Sequence, residues 1–185
     1  MIKDLTLITG NANKAEQFSK YLGIPVDHQK IDLDELQSAH LIEVIEHKAK
    51  QAYEKIKKPV VVDDVAFEIE VLNGLPGPFI KFFEEVMGVE KIAELVHKYD
   101  NHNVTVRMML GFYDGNEFKA VEGYTQGTVS KEVLGEGGFG FDRIYIPRGH
   151  DKTRGQMGVE EYDDTNHRRI AVEHLKVFLE EYGQN

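Results

Sequence analysis

Cysteine is absent from this chain of 185 residues. Without thiols there is no disulfide, no thiol nucleophile and no thiolate metal site. No apolar run is long enough to span a membrane, and the pattern of a secretory signal is missing. These absences predict a cytoplasmic protein that binds no membrane. With 41% apolar residues, one domain over residues 1–185 can fill a sizeable core.

Acidic residues outnumber basic ones, with 32 Asp and Glu against 22 Lys and Arg. The formal net charge is −10 at pH 7, which argues against nonspecific binding to nucleic acid. The eight histidines form no His-x-x-x-His pair, so the sequence does not predict a zinc site. An anionic ligand must therefore be attracted locally, by a metal ion and a few lysine and arginine side chains.

Two adjacent carboxylates follow a buried strand in the middle of the chain. Three valines, at 60–62, run directly into Asp63 and Asp64. Adjacent acids at a strand end are costly unless a cation lies on them. A divalent metal ion that carries a polyphosphate would supply that cation, and one carboxylate could then activate water. The alternative is an ordinary turn after a strand, where Asp is common.

A phosphate-binding loop is predicted near the start of the chain. An apolar strand at 5–8 is followed by a polar loop with Thr9 and Asn11, and Lys14 lies in the first turn of the next helix. Free backbone N–H groups and a partial positive charge make a helix start attractive to anions. The spacing is not that of a Walker motif. A surface helix with an ordinary cap is the alternative.

Two later segments carry groups suited to a nucleotide. Residues 135–142 contain four glycines together with Phe139 and Phe141, and aromatic faces can stack on a nucleobase. A hairpin turn whose phenylalanines fill the core is the alternative. His167 and Arg168 lie in the first turn of the last helix. Positive charge there opposes the helix dipole, and an oxygen-rich ligand would explain it.

Together these segments resemble the inosine triphosphate pyrophosphatase family, whose members hydrolyse non-standard purine nucleoside triphosphates such as those of inosine and xanthosine. The matches occur in the family's order and span nearly the whole chain. They are Thr9-x-Asn11-x-x-Lys14, Asp63-Asp64, Gly74-Leu75-Pro76-Gly77 with Lys81 downstream, Phe139-Gly140-Phe141-Asp142 and Asn166-His167-Arg168.

The resemblance implies the fold, the reaction and the cofactor. The fold is mixed α/β, with a long central mixed sheet flanked by helices and two lobes with a deep active-site cleft between them. The assembly is a homodimer. The reaction converts ITP, dITP or XTP to monophosphate and pyrophosphate. The cofactor is Mg²⁺, with Mn²⁺ as the alternative. Its implied ligands are Glu35, Asp63 and Asp64, and Asp32 or Asp34 could replace Glu35.

The remaining roles follow the matched motifs. Asp64 and Lys14 are the predicted catalytic residues, since Asp64 would orient the attacking water and Lys14 would hold the leaving phosphates. The predicted substrate-binding residues are Thr9, Asn11, Lys14, Lys81, Phe139, Phe141, Asp142, His167 and Arg168.

Several positions depart from the family pattern. Arg143 follows Asp142 where the family has Pro, and Tyr162 replaces a lysine that contacts the substrate in the family. Arg143 or Arg169 could supply the missing charge. The preferred base is therefore open. The alternatives are a pyrophosphatase for pyrimidine or modified nucleotides, like the septum-associated relatives of this family, and a nucleotide-binding sensor without turnover.

Hydrophobic periodicity predicts the elements. A helical stripe that includes Lys48 is interpreted as core. Strands are expected at 5–9 and 26–31, as a pair within 60–72, and at 104–113, 118–130 and 143–146. Helices are expected at 13–22, 41–57, 79–87 and 89–99, and from 166 onward.

Overall fold

The computed structural model of the protein describes residues 5–182. Seven strands and six α-helices lie within this range, which confirms the predicted mixed α/β fold. In chain order they are β1 (Thr6–Ile8), α1 (Ala12–Leu22), β2 (Asp27–Gln29), α2 (Leu41–Ile56), β3 (Val60–Ile69), β4 (Pro76–Gly77), α3 (Ile80–Val86), α4 (Val89–Val96), β5 (Asn103–Tyr113), β6 (Phe118–Val129), β7 (Tyr145–Pro147), α5 (Val159–Asp164) and α6 (His167–Tyr182). Short 3₁₀ helices are found at Glu70–Leu72, Gly140–Arg143 and Arg154–Gln156.

The strands form a mixed sheet in the order β2-β1-β3-β5-β6-β7, and β4 pairs with β3. Strand β1 is parallel to both of its neighbours, with Thr6 opposite Asp27 of β2 and Val60 of β3. Strand β7 is antiparallel to β6, with Thr128 opposite Ile146. Neighbours β5 and β6 are joined by a short turn, a connection that antiparallel strands make and parallel strands cannot.

The chain divides into two compact units. Of the described residues, unit 1 contains 5–64, 108–123 and 168–182, and unit 2 contains 65–107 and 124–167. Strands β3, β5 and β6 each contribute residues to both units. The single domain over 1–185 and the deep cleft stay predictions. No helix within residues 5–182 combines the length and the apolar character needed to cross a bilayer.

Helix α1 of unit 1 is fixed at both ends by its own sequence. The Asn11 side chain accepts hydrogen bonds from the backbone N–H groups of Asn13 and Lys14, at 3.0 and 3.2 Å. Gly23 ends the helix in the left-handed conformation, with φ of 79°, and donates its N–H to the Ser19 carbonyl at 2.9 Å. The predicted helix is therefore confirmed to within one residue.

Helix α2 packs closely on β5 inside unit 1. A Cβ atom at Gly111 of β5 would lie 2.4 Å from Cγ2 of Ile45, so a side chain there would force the helix away. The predicted apolar stripe is confirmed at Leu41, Val44, Ile45, Ala49 and Ala52, which are buried. Lys48 of the same stripe is only half-buried, and its ammonium has polar partners described below.

Unit 2 has an apolar core between its helices and its part of the sheet. Its buried members come from β3, α3, α4, β5, β6 and β7 with the residue before it. They are Phe67, Ile69, Ile80, Val89, Ile92, Ala93, Val96, Val104, Val106, Val129, Ile144 and Tyr145. Phe141 is partly buried and packs against this core.

Two predictions of the elements were wrong, and two elements were missed. The strand pair within 60–72 is one strand, β3, followed by the 3₁₀ helix Glu70–Leu72. The chain turns there because Asn73 and Gly74 adopt positive φ angles of 53° and 89°. Residue 143, expected to begin a strand, ends a 3₁₀ helix instead, and β7 begins at 145. Strand β4 and helix α5 were not predicted.

Candidate active site

The carboxyl end of β1 and the first half of β3 place the first group of predicted residues. Helix α1 connects β1 to β2, and α2 connects β2 to β3. Strands β2 and β3 lie on opposite sides of β1 in the sheet. This reversal of strand order is where open α/β sheets bind ligands, beyond the carboxyl ends of the strands. The loop after β1 carries Thr9 and Asn11. Asp63 and Asp64 were predicted to follow a strand, with an ordinary turn as the alternative. Both were wrong, because β3 continues through these residues to Ile69, and the two carboxylates lie within the strand just past its parallel pairing with β1.

Lysines compensate both carboxylates of β3. The Lys14 ammonium lies 3.4 Å from Oδ2 of Asp63, and the Lys48 ammonium lies 3.0 Å from Oδ2 of Asp64. Lys48 also donates to the backbone carbonyl of Asp63 at 3.0 Å. We call these four residues the acid–lysine cluster. The adjacent carboxylates predict a cation nearby, and the structure supplies two from the chain itself.

The ionisation of Asp63 reflects this cluster. Burial alone would raise the pKa of the Asp63 carboxyl. The positive charges of Lys14, Arg168 and Lys48 outweigh burial and hold that pKa below its usual range. Asp63 is therefore a carboxylate at neutral pH. Since its pKa responds to Arg168, that guanidinium acts on the acid–lysine cluster within unit 1.

The loop between β1 and α1 is shaped by local hydrogen bonds. Thr9 Oγ1 accepts the N–H of Asn11 at 3.1 Å. Asn11 Oδ1 already takes two of the N–H groups that a phosphate at this helix start would use. The Lys14 side chain is 36% exposed, and phosphate binding by Lys14 stays a prediction.

Glu35 lies in an irregular, exposed segment between β2 and α2. The same segment contains Asp32 and Asp34, the predicted replacements for Glu35. Gln51 of α2 accepts the backbone N–H of Asp34 at 3.0 Å. Within residues 5–182 no three acidic or histidine side chains are grouped closely enough to hold a metal ion. Metal binding by Glu35 stays a prediction.

The aromatic loop of unit 2 (residues 138–142) presents one phenylalanine and buries the other. The Phe139 side chain is 71% exposed. The ring of Phe141 instead packs on Phe67 of the core, with ring centroids 4.9 Å apart. The Phe141 N–H donates to Oε1 of Glu84 at 2.6 Å. Of the two predicted stacking residues, Phe139 is the one placed to meet a ligand.

Asp142 is buried and engaged on both oxygens. Its Oδ2 accepts the N–H of Phe139 at 2.9 Å and the hydroxyl of Tyr162 at 2.7 Å. Its Oδ1 lies 2.9 Å from Nε of Arg154 in an ion pair without hydrogen-bond geometry. Direct contact of Asp142 with substrate stays a prediction.

The other predicted residues are placed as follows. Lys81 is exposed in the first turn of α3 in unit 2. His167 is buried, begins α6 and belongs to unit 2, whereas Arg168 belongs to unit 1. Arg143, a candidate replacement for the missing lysine, donates to the carbonyl of Gly135 at 3.1 Å. The other candidate, Arg169, lies 3.8 Å from Glu173 on the same helix.

The sequence model of the Ham1 family matches residues 5–178. The chain belongs to the Ham1 family. It is 35% identical over 181 residues to the dITP/XTP pyrophosphatase of Methanopyrus kandleri. The matched region covers 96% of this chain and 95% of that protein. It is 32% identical over 190 residues to the inosine triphosphate pyrophosphatase of Scheffersomyces stipitis, with coverage of 95% and 97%. The predicted family resemblance is thus confirmed.

A solved Ham1 structure supports the same assignment. The Ham1 protein of Staphylococcus aureus matches with a TM-score of 0.83 at 25% identity, over 99% of this chain and 100% of that chain. The mixed sheet with flanking helices is therefore the Ham1 fold.

Three residues of this Ham1 chain were missed as site candidates. Lys48 was assigned to the core because its neighbours in the helical stripe are apolar. Arg154 and Glu84 lie outside every matched motif, although both contact the aromatic loop or its aspartate. The only sequence signal for Lys48 was a charge on a buried helical face, where a lysine is rare without a partner.

Proposed function

We propose that this chain hydrolyses non-standard purine nucleoside triphosphates, such as ITP, dITP and XTP, to monophosphate and pyrophosphate. The observation that carries the proposal is the acid–lysine cluster, which lies just past the parallel pairing of β1 with β3. It joins two carboxylates, which suit a hard metal ion, to lysines, which suit phosphates. The names of the relatives agree with it.

Local charge supports binding of a triphosphate. The chain as a whole carries −10, which repels an anion at long range. Around Asp63 and Asp64, however, three cations face two carboxylates, since Lys14, Lys48 and Arg168 all act there. This local excess of one positive charge favours the phosphates.

The donor set fits Mg²⁺ or Mn²⁺. Asp63 and Asp64 offer only oxygen ligands, and Mg²⁺ in phosphate-handling sites uses one or two carboxylates together with substrate phosphates and water. When bound, the ion neutralises charge on the phosphate oxygens. Glu35 is the third ligand in our proposal. The lysines now on the carboxylates would then be released towards the phosphates.

The chain's own residues supply the remaining chemistry. Lys14 and Lys48 would hold phosphate oxygens and stabilise the charge that develops on departing pyrophosphate. The Asp64 carboxylate would accept a proton from the water that attacks the α-phosphorus. The P–O bond to pyrophosphate breaks as the new P–O bond forms. Phe139 offers an exposed ring on which a purine base can stack.

Base selectivity in this proposal comes from the six-position of the purine. A 6-oxo group accepts hydrogen bonds, whereas adenine presents an amino donor there. If the site presents hydrogen-bond donors to this position, with Arg168 among them, adenine would leave those donors unpaired. An unpaired buried donor costs about 1–3 kcal/mol, roughly a ten- to hundredfold preference for ITP over ATP.

Pyrophosphate release tests the proposal. Purified protein with Mg²⁺ is assayed on ITP, XTP, dITP, GTP, ATP, UTP and CTP. We expect the highest kcat/KM on ITP, dITP and XTP, and loss of hydrolysis with EDTA. Equal hydrolysis of ATP and ITP would overturn the purine selectivity. Preference for UTP or CTP, or tight binding without turnover, would favour the two alternatives.

The assembly and the cellular location complete the proposal. We propose a homodimer, which analytical ultracentrifugation across micromolar concentrations would test. We also propose a cytoplasmic location, because free nucleotides are the substrate. Cell fractionation would test the location, and recovery with the membrane fraction would contradict it.

A further inference from the structure

Arg154 is the largest side chain that is fully buried within the described residues, and it is 1% exposed. A buried guanidinium is strongly unfavourable unless it is paired. Its Nε lies 2.9 Å from the Asp142 carboxylate, its Cζ lies 3.9 Å from the ring centroid of Tyr162, and it donates to the carbonyl of Thr165. Arg154 belongs to none of the matched family motifs.

Tyr162 completes a three-residue group, the Arg154–Asp142–Tyr162 cluster. The Tyr162 hydroxyl donates to Oδ2 of Asp142 at 2.7 Å. Burial and the negative charge of Asp142 raise the pKa of that hydroxyl above its usual range, so it keeps the proton that it donates. Each polar group of the cluster therefore has a partner in a buried position.

The backbone of the aromatic loop is attached to this cluster. The N–H of Phe139 donates to Oδ2 of Asp142 at 2.9 Å. Gly138 lies so close that a Cβ atom there would be 2.5 Å from the same oxygen, and its φ is 72°. The carboxylate and the loop thus fit each other without space for a side chain.

The ring of Phe139 is nevertheless directed into solvent, at 71% exposure. Hydrophobic burial would draw a phenylalanine into the core, as it does Phe141 two residues later. Carboxylates hold the loop on both sides of Gly140, through the backbone N–H groups of Phe139 and Phe141. A ligand that covers the ring best explains why it is exposed on a loop held in this way.

We propose that Arg154 and Tyr162 are positioning residues that act through Asp142 to hold Phe139 ready for a purine base. The inference rests on the proposed function and deepens it, because it names the residues that set base binding. Ordering the loop before the nucleotide arrives removes an entropic cost of binding. It therefore affects nucleotide affinity more than the chemical step.

The first test needs no nucleotide. The chain has no tryptophan, so Phe139→Trp introduces a single fluorescent reporter on the loop. Time-resolved anisotropy is compared between this variant and the same variant with Tyr162→Phe, which deletes only the hydroxyl. We expect the fast local motion of Trp to increase in amplitude when the hydroxyl is absent.

Tyr145→Phe is the matched control. Tyr145 is also a buried tyrosine of unit 2, and its hydroxyl donates to Thr125 at 3.0 Å and not to Asp142. It should leave the anisotropy decay unchanged. Equal loosening by both variants would indicate a general loss of packing and would overturn the positioning role.

The second test is kinetic, with the natural Phe139 and Mg²⁺. Tyr162→Phe should raise KM for ITP about three- to tenfold, the range of one lost hydrogen bond, with kcat within about twofold. Arg154→Lys, which keeps the charge, should raise KM less than Arg154→Met measured at a temperature where both are folded. Tyr145→Phe should change neither constant.

The outcomes separate the two proposals. An unchanged anisotropy decay in Tyr162→Phe would overturn positioning of the loop. A looser loop with unchanged KM would overturn its role in base binding. If the wild type hydrolyses no triphosphate, the proposed function fails, and the anisotropy measured without nucleotide still decides whether the cluster holds Phe139.

Discussion

Aspartate–cation pairs occur in both units of this protein, but in different surroundings. The acid–lysine cluster of unit 1 has side chains between 15% and 36% exposed. In unit 2 the paired side chains of Asp142 and Arg154 are 5% and 1% exposed. The same charge pairing is therefore open to solvent in one unit and closed in the other.

The difference in exposure indicates different roles. Partly exposed ion pairs contribute little to stability, so their partners can be exchanged for a metal ion or a phosphate at low cost. A buried pair cannot lose one partner without leaving an uncompensated charge. Unit 1 thus offers exchangeable charges for chemistry, and unit 2 uses fixed charges to hold the backbone of the aromatic loop.

The largest expected effect is on turnover in unit 1. Asp64→Asn keeps the shape of the side chain but removes the proton acceptor, so kcat for ITP should fall about 10²–10⁴-fold. Thermal unfolding should change little, because Asp64 is 29% exposed. Asp27→Asn, an exposed aspartate of β2, is the control and should keep full activity. Retention of kcat in Asp64→Asn would refute the assigned role.

The next effect is on stability in unit 2. Arg154→Met leaves the Asp142 carboxylate buried without its cation, which should lower the free energy of unfolding by about 3–5 kcal/mol. Urea unfolding measures this change. Arg107→Met is the control, because Arg107 and Glu68 form a pair that is 26% and 30% exposed, and it should lose much less. Equal losses would remove the contrast between open and closed pairs.

Local patterns made much of the fold predictable. Helix α1 was found from its apolar face, its polar start at Asn11 and its end at Gly23, all of which lie within the helix or beside it. The prediction of a strand pair within 60–72 was wrong because Val71 and Leu72 are apolar and were interpreted as strand residues. The turn that overrides them depends on the backbone of Asn73 and Gly74, whose positive φ the apolar pattern does not show.

The site was predictable where it follows from strand order and unpredictable where it depends on long-range contacts. Asp63 and the loop of Lys14 were expected together, and they lie together. Lys48 of α2 contacts Asp64 of β3, and Arg154 contacts Asp142 across a loop. Neither contact leaves a periodic trace in the sequence, because each depends on how the elements pack.

A smaller effect should sharpen the role of the open pairs. Lys14→Ala removes a charged hydrogen-bond donor, worth about 1.5–3 kcal/mol, so the Kd of a triphosphate should rise roughly 10- to 100-fold. Inosine, which lacks phosphates, should bind unchanged. Lys50→Ala, an exposed lysine of α2 paired with Glu46, is the control. A large loss of stability with unchanged affinity for triphosphate would make Lys14 structural.

The smallest effect compares two carboxyls in acid. Asp63 has a pKa lowered by its cations, despite burial. Burial raises the pKa of Glu84; the hydrogen bond from Phe141 opposes that rise, and the charge of Asp142 adds to it. Ionised Asp63 therefore stabilises the fold above its unfolded pKa of about 3.9, and this contribution is lost as pH falls through the lower folded value. Ionised Glu84 destabilises the fold above its raised pKa, and this penalty disappears below about pH 4.3.

Isosteric amides should consequently have opposite effects. At pH 7, Asp63→Asn should lower the urea midpoint and Glu84→Gln should raise it, because the glutamine oxygen can still accept the N–H of Phe141. Both differences from wild type should shrink as pH falls from 6 to 3, in a series of urea titrations. Glu160→Gln, an exposed carboxyl of α5, should leave the midpoint unchanged. If both amides shifted the midpoint in one direction, the nearby cations would not be what distinguishes Asp63 from Glu84. The contrast between the exchangeable charges of unit 1 and the fixed charges of unit 2 would then lose its electrostatic basis.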